Sequence, residues 1–177
     1  MHFTFWKLAE FNIIASLFFL IAAWKWGDWH NWRKYYPTII FFLLINYAYG
    51  YITYNYPLWQ FESPLLKTTL CDIFVSIVAY PSTILLFLPH YPNTLYKRIF
   101  YILMWVTLYS ILEFFSFKLG FFSYHNGWNM WWSVLFNGLM FPIFRLHHQN
   151  PLYAWSFTLI LAVAILLFFN FPCSSMK

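Results

Sequence analysis

Charge is what this sequence has least of. Ten Lys and Arg and five Asp and Glu serve 177 residues, 8% of the chain, where a water-soluble domain carries about 25%. So few ionised groups cannot cover a water-facing surface, which excludes an ordinary soluble globular domain. Cysteine is nearly absent too: Cys71 and Cys173 make neither a disulfide framework nor a zinc-binding spacing. Glycine is scarce at five residues, none in a G-x-x-x-G pair, so close backbone-to-backbone helix crossings are not expected. H-E-x-x-H, G-x-S-x-G, C-x-x-C, the P-loop and the dinucleotide fingerprint are all missing. The sequence therefore assigns no metal and no cofactor.

What fills the chain is apolar and aromatic: 62% hydrophobic residues, and 27% Phe, Trp and Tyr. About 20 apolar residues in a helix cross the ~30 Å hydrocarbon layer. Six segments approach that standard, at about 8–26, 37–54, 68–88, 99–117, 128–144 and 152–169. Short connectors make sequential helices antiparallel, and the whole chain, 1–177, reads as one transmembrane domain. In lipid only helices or a closed barrel satisfy the backbone, and these runs are too long and too continuously apolar for barrel strands. The expected fold is an all-α polytopic bundle of about six spanning helices. The first is expected to be retained: Lys7 is the sole strong cation before it, and Trp24 and Trp26 follow the small pair Ala22-Ala23 directly. Tyr-Pro recurs at Tyr36-Pro37, Tyr56-Pro57, Tyr80-Pro81 and Tyr91-Pro92. Three of these read as interfacial punctuation at helix ends, and Pro81 is expected to kink the third helix.

The net charge of +5 is spread singly and in pairs between apolar runs, so it marks topology and not a nucleic-acid surface. Connectors one, three and five carry Lys25, Arg33, Lys34, Lys97, Arg98 and Arg145, against Lys7, Lys67, Lys118 and Lys177 on the other side. The bias puts those connectors in the cytoplasm and both termini outside. Of the acids, Glu10, Glu62, Asp72 and Glu113 then fall in the outer half and Asp28 alone inside.

Asp72 and Glu113 are the candidate site residues. A short carboxyl several ångströms inside hydrocarbon costs several kcal/mol unless paired, hydrated or protonated. Either each pairs locally and fixes helix packing, or both open on an outward polar pocket completed by His125 and Asn129. Asn46 and Asn137, near mid-membrane, are expected to join helices through their amides. His147 and His148, adjacent on a helix, point about 100° apart and make a poor metal pair. The turn His125-Asn126-Gly127-Trp128-Asn129 leads into a helix, whose N-terminus is able to hold an anion.

Lys34-Tyr35-Tyr36-Pro37-Thr38, Tyr56-Pro57-Leu58-Trp59, Asn126-Gly127-Trp128-Asn129 and Leu146-His147-His148-Gln149-Asn150-Pro151-Leu152 together resemble a family of small multi-pass membrane proteins from endospore-forming Firmicutes. The resemblance implies a bacterial cytoplasmic membrane and a role tied to sporulation, and it brings no catalytic residue. The leading expectation is a non-enzymatic membrane protein. Its outward polar pocket would take a small solute, a proton or a lipid headgroup, or the chain would serve as a subunit beside a membrane-protein partner or a second copy. The alternatives are an intramembrane lipid-modifying enzyme using a carboxylate with His125, and a structural assembly factor.

Overall fold

The structure, a computed structural model, describes residues 10–64 and 66–176. Among these, six α-helices follow one another: α1 (Phe11–Trp26), α2 (Trp32–Ile52), α3 (Thr68–Phe87), α4 (Leu95–Leu119), α5 (Met130–Gln149) and α6 (Pro151–Phe168). The protein is all-helical apart from two three-residue strands, β1 (Trp59–Phe61) and β2 (Phe122–Tyr124). By length and composition α3, α4 and α6 are long and apolar enough to cross a membrane, and α1 is apolar but shorter at 16 residues.

Helix ends depart from the sequence expectation where charge sits near them. α2 begins at Trp32, so Pro37 lies inside it and does not start it. α4 takes in Lys97 and Arg98, and α5 runs on past Arg145 to Gln149. Hydropathy registers apolar side chains, whereas backbone hydrogen bonding continues while any side chain with helical freedom follows. α3 runs unbroken through Pro81 to Phe87, and α5 passes through Pro142.

The two strands were not expected. β1 lies between α2 and α3, β2 between α4 and α5, and they pair antiparallel with Trp59 opposite Tyr124, Gln60 opposite Ser123 and Phe61 opposite Phe122. The ladder extends at both ends, Glu62 N–H donating to Phe121 C=O at 2.9 Å and His125 N–H to Leu58 C=O at 2.8 Å. Pairing brings the α2–α3 and α4–α5 connectors to one end of the bundle, called here the ribbon end. Asn12 Nδ2 donates to Phe121 C=O at 2.8 Å, and Asn55 Nδ2 to Ser175 C=O at 3.0 Å, so the start of α1 and the C-terminal residues lie there as well. At the opposite end the Asp28 N–H donates to Leu85 C=O at 3.3 Å, joining the α1–α2 connector to the end of α3. Sequential helices are thus antiparallel.

Rings and branched chains form the core. Phe41, Phe87, Phe141 and Phe144 are buried with Ile84 and Leu85. Phe87 meets Phe141 at 5.2 Å and Phe42 meets Phe144 at 4.4 Å between centroids, inside the range where aromatic pairs attract. Large side chains also cover the outside: Trp24, Phe100, Leu152 and Leu167 are all exposed, a surface suited to lipid.

Candidate functional site

A cavity of about 390 Å³ lies between the helices and takes wall residues from all six. Its volume falls within the roughly 300–1,000 Å³ of ligand pockets. The wall is mostly apolar: Phe41, Phe42, Met140, Ile143, Phe144 and Trp155 surround the part nearer the opposite end. Polar groups gather toward the ribbon end. Asn46 and Glu113 each lie six residues from the ribbon end of their helices, and Asn137 lies seven from its own. At 1.5 Å per residue these depths are about 9–10 Å. The three share a level, and Asn12, Ser116 and Ser133 lie above it, nearer the ribbon. No Lys, Arg or His lines the cavity among the described residues.

Glu113 is held in place. Its Oε1 accepts from the Tyr124 hydroxyl at 2.6 Å, with the Ser133 hydroxyl close by. Burial and the neighbouring Glu113 carboxylate push the Tyr124 phenol above its ordinary value, so the hydroxyl keeps its proton and donates. Ser133 in turn accepts from Trp128 Nε1 at 2.9 Å. The chain Trp128–Ser133, with Tyr124 from β2, pins the one acidic wall residue to the ribbon.

Asn137 behaves differently. It is only 6% exposed, lines the cavity, and its amide has no hydrogen-bond partner among the described residues. The expectation that it joins helices is corrected on this point: the amide faces the cavity and no neighbouring helix presents a partner. Thr158 on α6 also lines the cavity, and its buried hydroxyl has no partner among the described residues. An unpaired polar group in an apolar setting costs about 1–3 kcal/mol. Of the two, only the Asn137 amide is open to the cavity, because the Thr158 hydroxyl is sealed from it by its neighbours.

The other expected site residues lie elsewhere. Asp72 sits off the cavity wall, its carboxyl oxygens each 3.3 Å from Asn46 Nδ2, and Tyr80 donates to Asn46 Oδ1 at 3.1 Å. Asn46 therefore joins α2 to α3. Asn129 caps α5, its Oδ1 accepting from the N–H groups of Trp131 at 3.0 Å and Trp132 at 3.3 Å. Those donors are occupied by the cap. His125 is exposed on the ribbon with Nε2 2.8 Å from Ser123 Oγ. Ser123 Oγ gives its proton to Glu62 Oε1 at 2.7 Å. The serine thus lies between the acid and the imidazole, the reverse of the order that activates a nucleophile, where histidine takes the middle place. The structure brings Glu113, Asn46 and Asn137 to one cavity and leaves Asp72, His125 and Asn129 out of its wall.

Each end of the cavity is covered. At the ribbon end Leu58, Trp59 and Trp128 form a roof, with Trp59 stacked on Tyr49 at 4.0 Å and tilted against Trp128 at 4.6 Å between centroids. The Tyr49 hydroxyl fastens the roof by accepting from the Leu58 and Trp59 N–H groups at 3.1 and 3.0 Å while donating to Trp59 C=O at 3.0 Å. At the other end Phe41 stacks on His147 at 4.1 Å and meets Trp155 at 4.8 Å. Thr38 and His147 Nδ1, both buried, are 3.0 Å apart and link α2 to α5 beneath that layer. The sequence reading singled out Glu113 and the amides Asn46 and Asn137 but neither Ser133 nor Thr158. Ser133 and Thr158 are small hydroxyls inside apolar runs, and an isolated hydroxyl carries no pattern that marks it.

Comparison with protein-family models, with curated proteins and with solved structures finds no match for this chain.

Proposed function

We propose that the chain is a multi-pass protein of a bacterial cytoplasmic membrane whose six helices all cross the bilayer. In this reading connectors one, three and five face the cytoplasm and the ribbon and both termini face outward. Its function is to hold a small amphiphilic molecule in the central cavity, without chemistry on it. Three helices long and apolar enough to span support the membrane reading, as does the exposed apolar surface. Antiparallel neighbours require that α1, α2 and α5 cross with them. Lys25, Arg33, Lys34, Lys97, Arg98 and Arg145, all away from the ribbon, favour that side as cytoplasmic. The lipid bilayer is the partner this implies; the family of spore-former membrane proteins that the chain resembles fits the same placement.

The observation that carries the binding role is the apolar cavity with an unpaired amide, Asn137, at its polar level. The alternative of a lipid-modifying enzyme draws less support, because the nearest Ser–His–Glu grouping has its serine in the wrong position and lies on the ribbon surface. The test is native mass spectrometry of the purified protein titrated with four twelve-carbon probes: dodecanoate, dodecyltrimethylammonium, dodecylphosphocholine and 1-monododecanoylglycerol. Saturable one-to-one binding of at least one probe, lost in Asn137→Phe with its ring in the cavity, is the expected result. Absence of saturable binding by all four overturns the proposal. Impermeant labelling of single cysteines at positions 62 and 125, but not 30, 94 and 149, is expected in intact cells.

A further inference from the structure

The cavity's wall residues differ sharply in exposure. Nearly all are buried or half-buried, although they come from six helices and the ribbon. Four are exposed: Leu44 and Ala48 on α2, and Leu159 and Ala162 on α6. Leu44 is 52% and Leu159 61% exposed, yet both still border the cavity. Spacings of four and three residues put each pair on one face of its helix. The two faces are rims of one gap, and the alanines, nearer the ribbon than the leucines, leave it unfilled.

This is where the bundle is thinnest. α6 has Ala154 as its sole buried residue. α2 and α6 meet through Phe41 and Trp155 toward one end, and beyond their other ends Tyr56 and Phe171, in the segments that follow them, meet at 5.5 Å between centroids. Between these aromatic contacts lies the opening. With a roof at the ribbon end and the Phe41–His147–Trp155 layer at the other, the remaining side is the one that faces lipid.

Resting on the binding role above, we infer that the cavity exchanges its occupant with the bilayer through a lateral portal between α2 and α6, and that the occupant is a single-chain lipid with an uncharged, hydroxyl-bearing headgroup. The headgroup class follows from the wall. No cation lines the cavity among the described residues, so a phosphate or carboxylate head would be buried without a counter-charge, at a cost of several kcal/mol. Asn137 offers the cavity an N–H₂ and a C=O. Hydroxyl groups match both functions of the amide. The apolar part, walled by Phe42, Met140, Ile143 and Phe144, takes the chain. Polar level toward the ribbon and apolar wall away from it fix the orientation: head toward the ribbon, tail toward the opposite end.

The test uses the full chain with Cys71→Ser, Cys173→Ser and Val163→Cys, an exposed residue beside the α6 rim and off the cavity wall, purified folded and then alkylated with a bulky benzyl maleimide, so that folding is complete before the portal is blocked. Transfer of radiolabelled 1-monododecanoylglycerol from phosphatidylcholine vesicles is followed before and after alkylation. Blocking a route, as opposed to a site, slows uptake and release together, by about tenfold here, and leaves Kd within about twofold. Unchanged rates with binding intact would overturn the portal; in that case Trp59→Ala, which opens the roof, should accelerate exchange. No saturable binding before alkylation would instead sink the underlying binding role. For the headgroup, 1-monododecanoylglycerol is expected to bind at least about tenfold more tightly than dodecanoate or 1-dodecanoyl lysophosphatidate. Equal or tighter binding of either anion, or of dodecyltrimethylammonium drawn to Glu113, overturns the uncharged class.

Discussion

Replacing Asn46 should destabilise the protein more than replacing the acid it binds. Asn46 bridges two partners: its Nδ2 reaches both Asp72 oxygens at 3.3 Å, and its Oδ1 accepts from Tyr80 at 3.1 Å. Asn46→Leu strips the only hydrogen-bond donor to the Asp72 carboxyl among the described residues and the acceptor of the Tyr80 hydroxyl, leaving two polar groups unpaired. Each such group costs about 1–3 kcal/mol, more when charged, though pairs between membrane helices average about 0.6 and reach about 1.7 kcal/mol. The expected loss is about 2–4 kcal/mol. Asp72→Leu leaves the Tyr80–Asn46 bond in place and orphans only the neutral Asn46 N–H₂, while it removes a carboxyl from an apolar setting, at about 0–2 kcal/mol. The double variant should be more stable than Asn46→Leu alone, because it removes the orphaned carboxyl. Reversible unfolding by added sodium dodecyl sulfate in mixed micelles, followed by circular dichroism, measures all four corners of the cycle. A larger loss from Asp72→Leu, or strict additivity, would refute the reasoning.

Two further outcomes concern Asp28 and Gly127, which lie in connectors between helices. The Tyr35 hydroxyl, donating to Asp28 Oδ2 at 2.8 Å, is the largest cause of a carboxyl pKa below its ordinary value of 3.8, with Asn31 adding to it. A depressed folded pKa contributes stability present above the unfolded value of about 3.9 and lost as pH falls through the folded one; Tyr35→Phe should move the Asp28 carbonyl ¹³C titration back up, and an unmoved midpoint counts against the bond. Gly127 has φ +86°, where an added Cβ meets only Phe169 at an ordinary 3.7 Å, so Gly127→Ala should cost about 1–2 kcal/mol from backbone conformation alone; a neutral result in the same micellar unfolding assay would show that the turn relaxes.

Much of the fold could be read from charge and hydropathy, because each connector is short and each helix is bounded by ionised or interfacial residues. The clean runs α3, α4 and α6 are the ones long and apolar enough to span. The misread ends were those where Arg33, Lys34, Lys97, Arg98 and Arg145 continue a helix beyond its apolar part. Long cationic stems follow a helix out of hydrocarbon without breaking its hydrogen bonds. The ribbon escaped notice because three residues are too short for a periodicity, although Trp59-Gln60-Phe61-Glu62 and Phe122-Ser123-Tyr124-His125 do alternate apolar and polar.

The candidate site was legible one residue at a time and not as an arrangement. Burial cost alone singles out Glu113 and Asp72, but which helix faces which is not written in connector length, and α3 turns Asp72 toward α2 and off the cavity wall. Composition explains why a cavity exists at all. With 27% aromatic residues and five glycines, helices are held apart by rings, and rigid rings cannot flow into the volume left between them. The residual space collects where small residues face it, at Ala48 and Ala162, and those lie on the two helices with the least between them. A soluble protein would have to close such a gap against water. On the proposed reading hydrocarbon chains stand at its rim, and the unpaired amide of Asn137 is the group that would distinguish one of them from the rest.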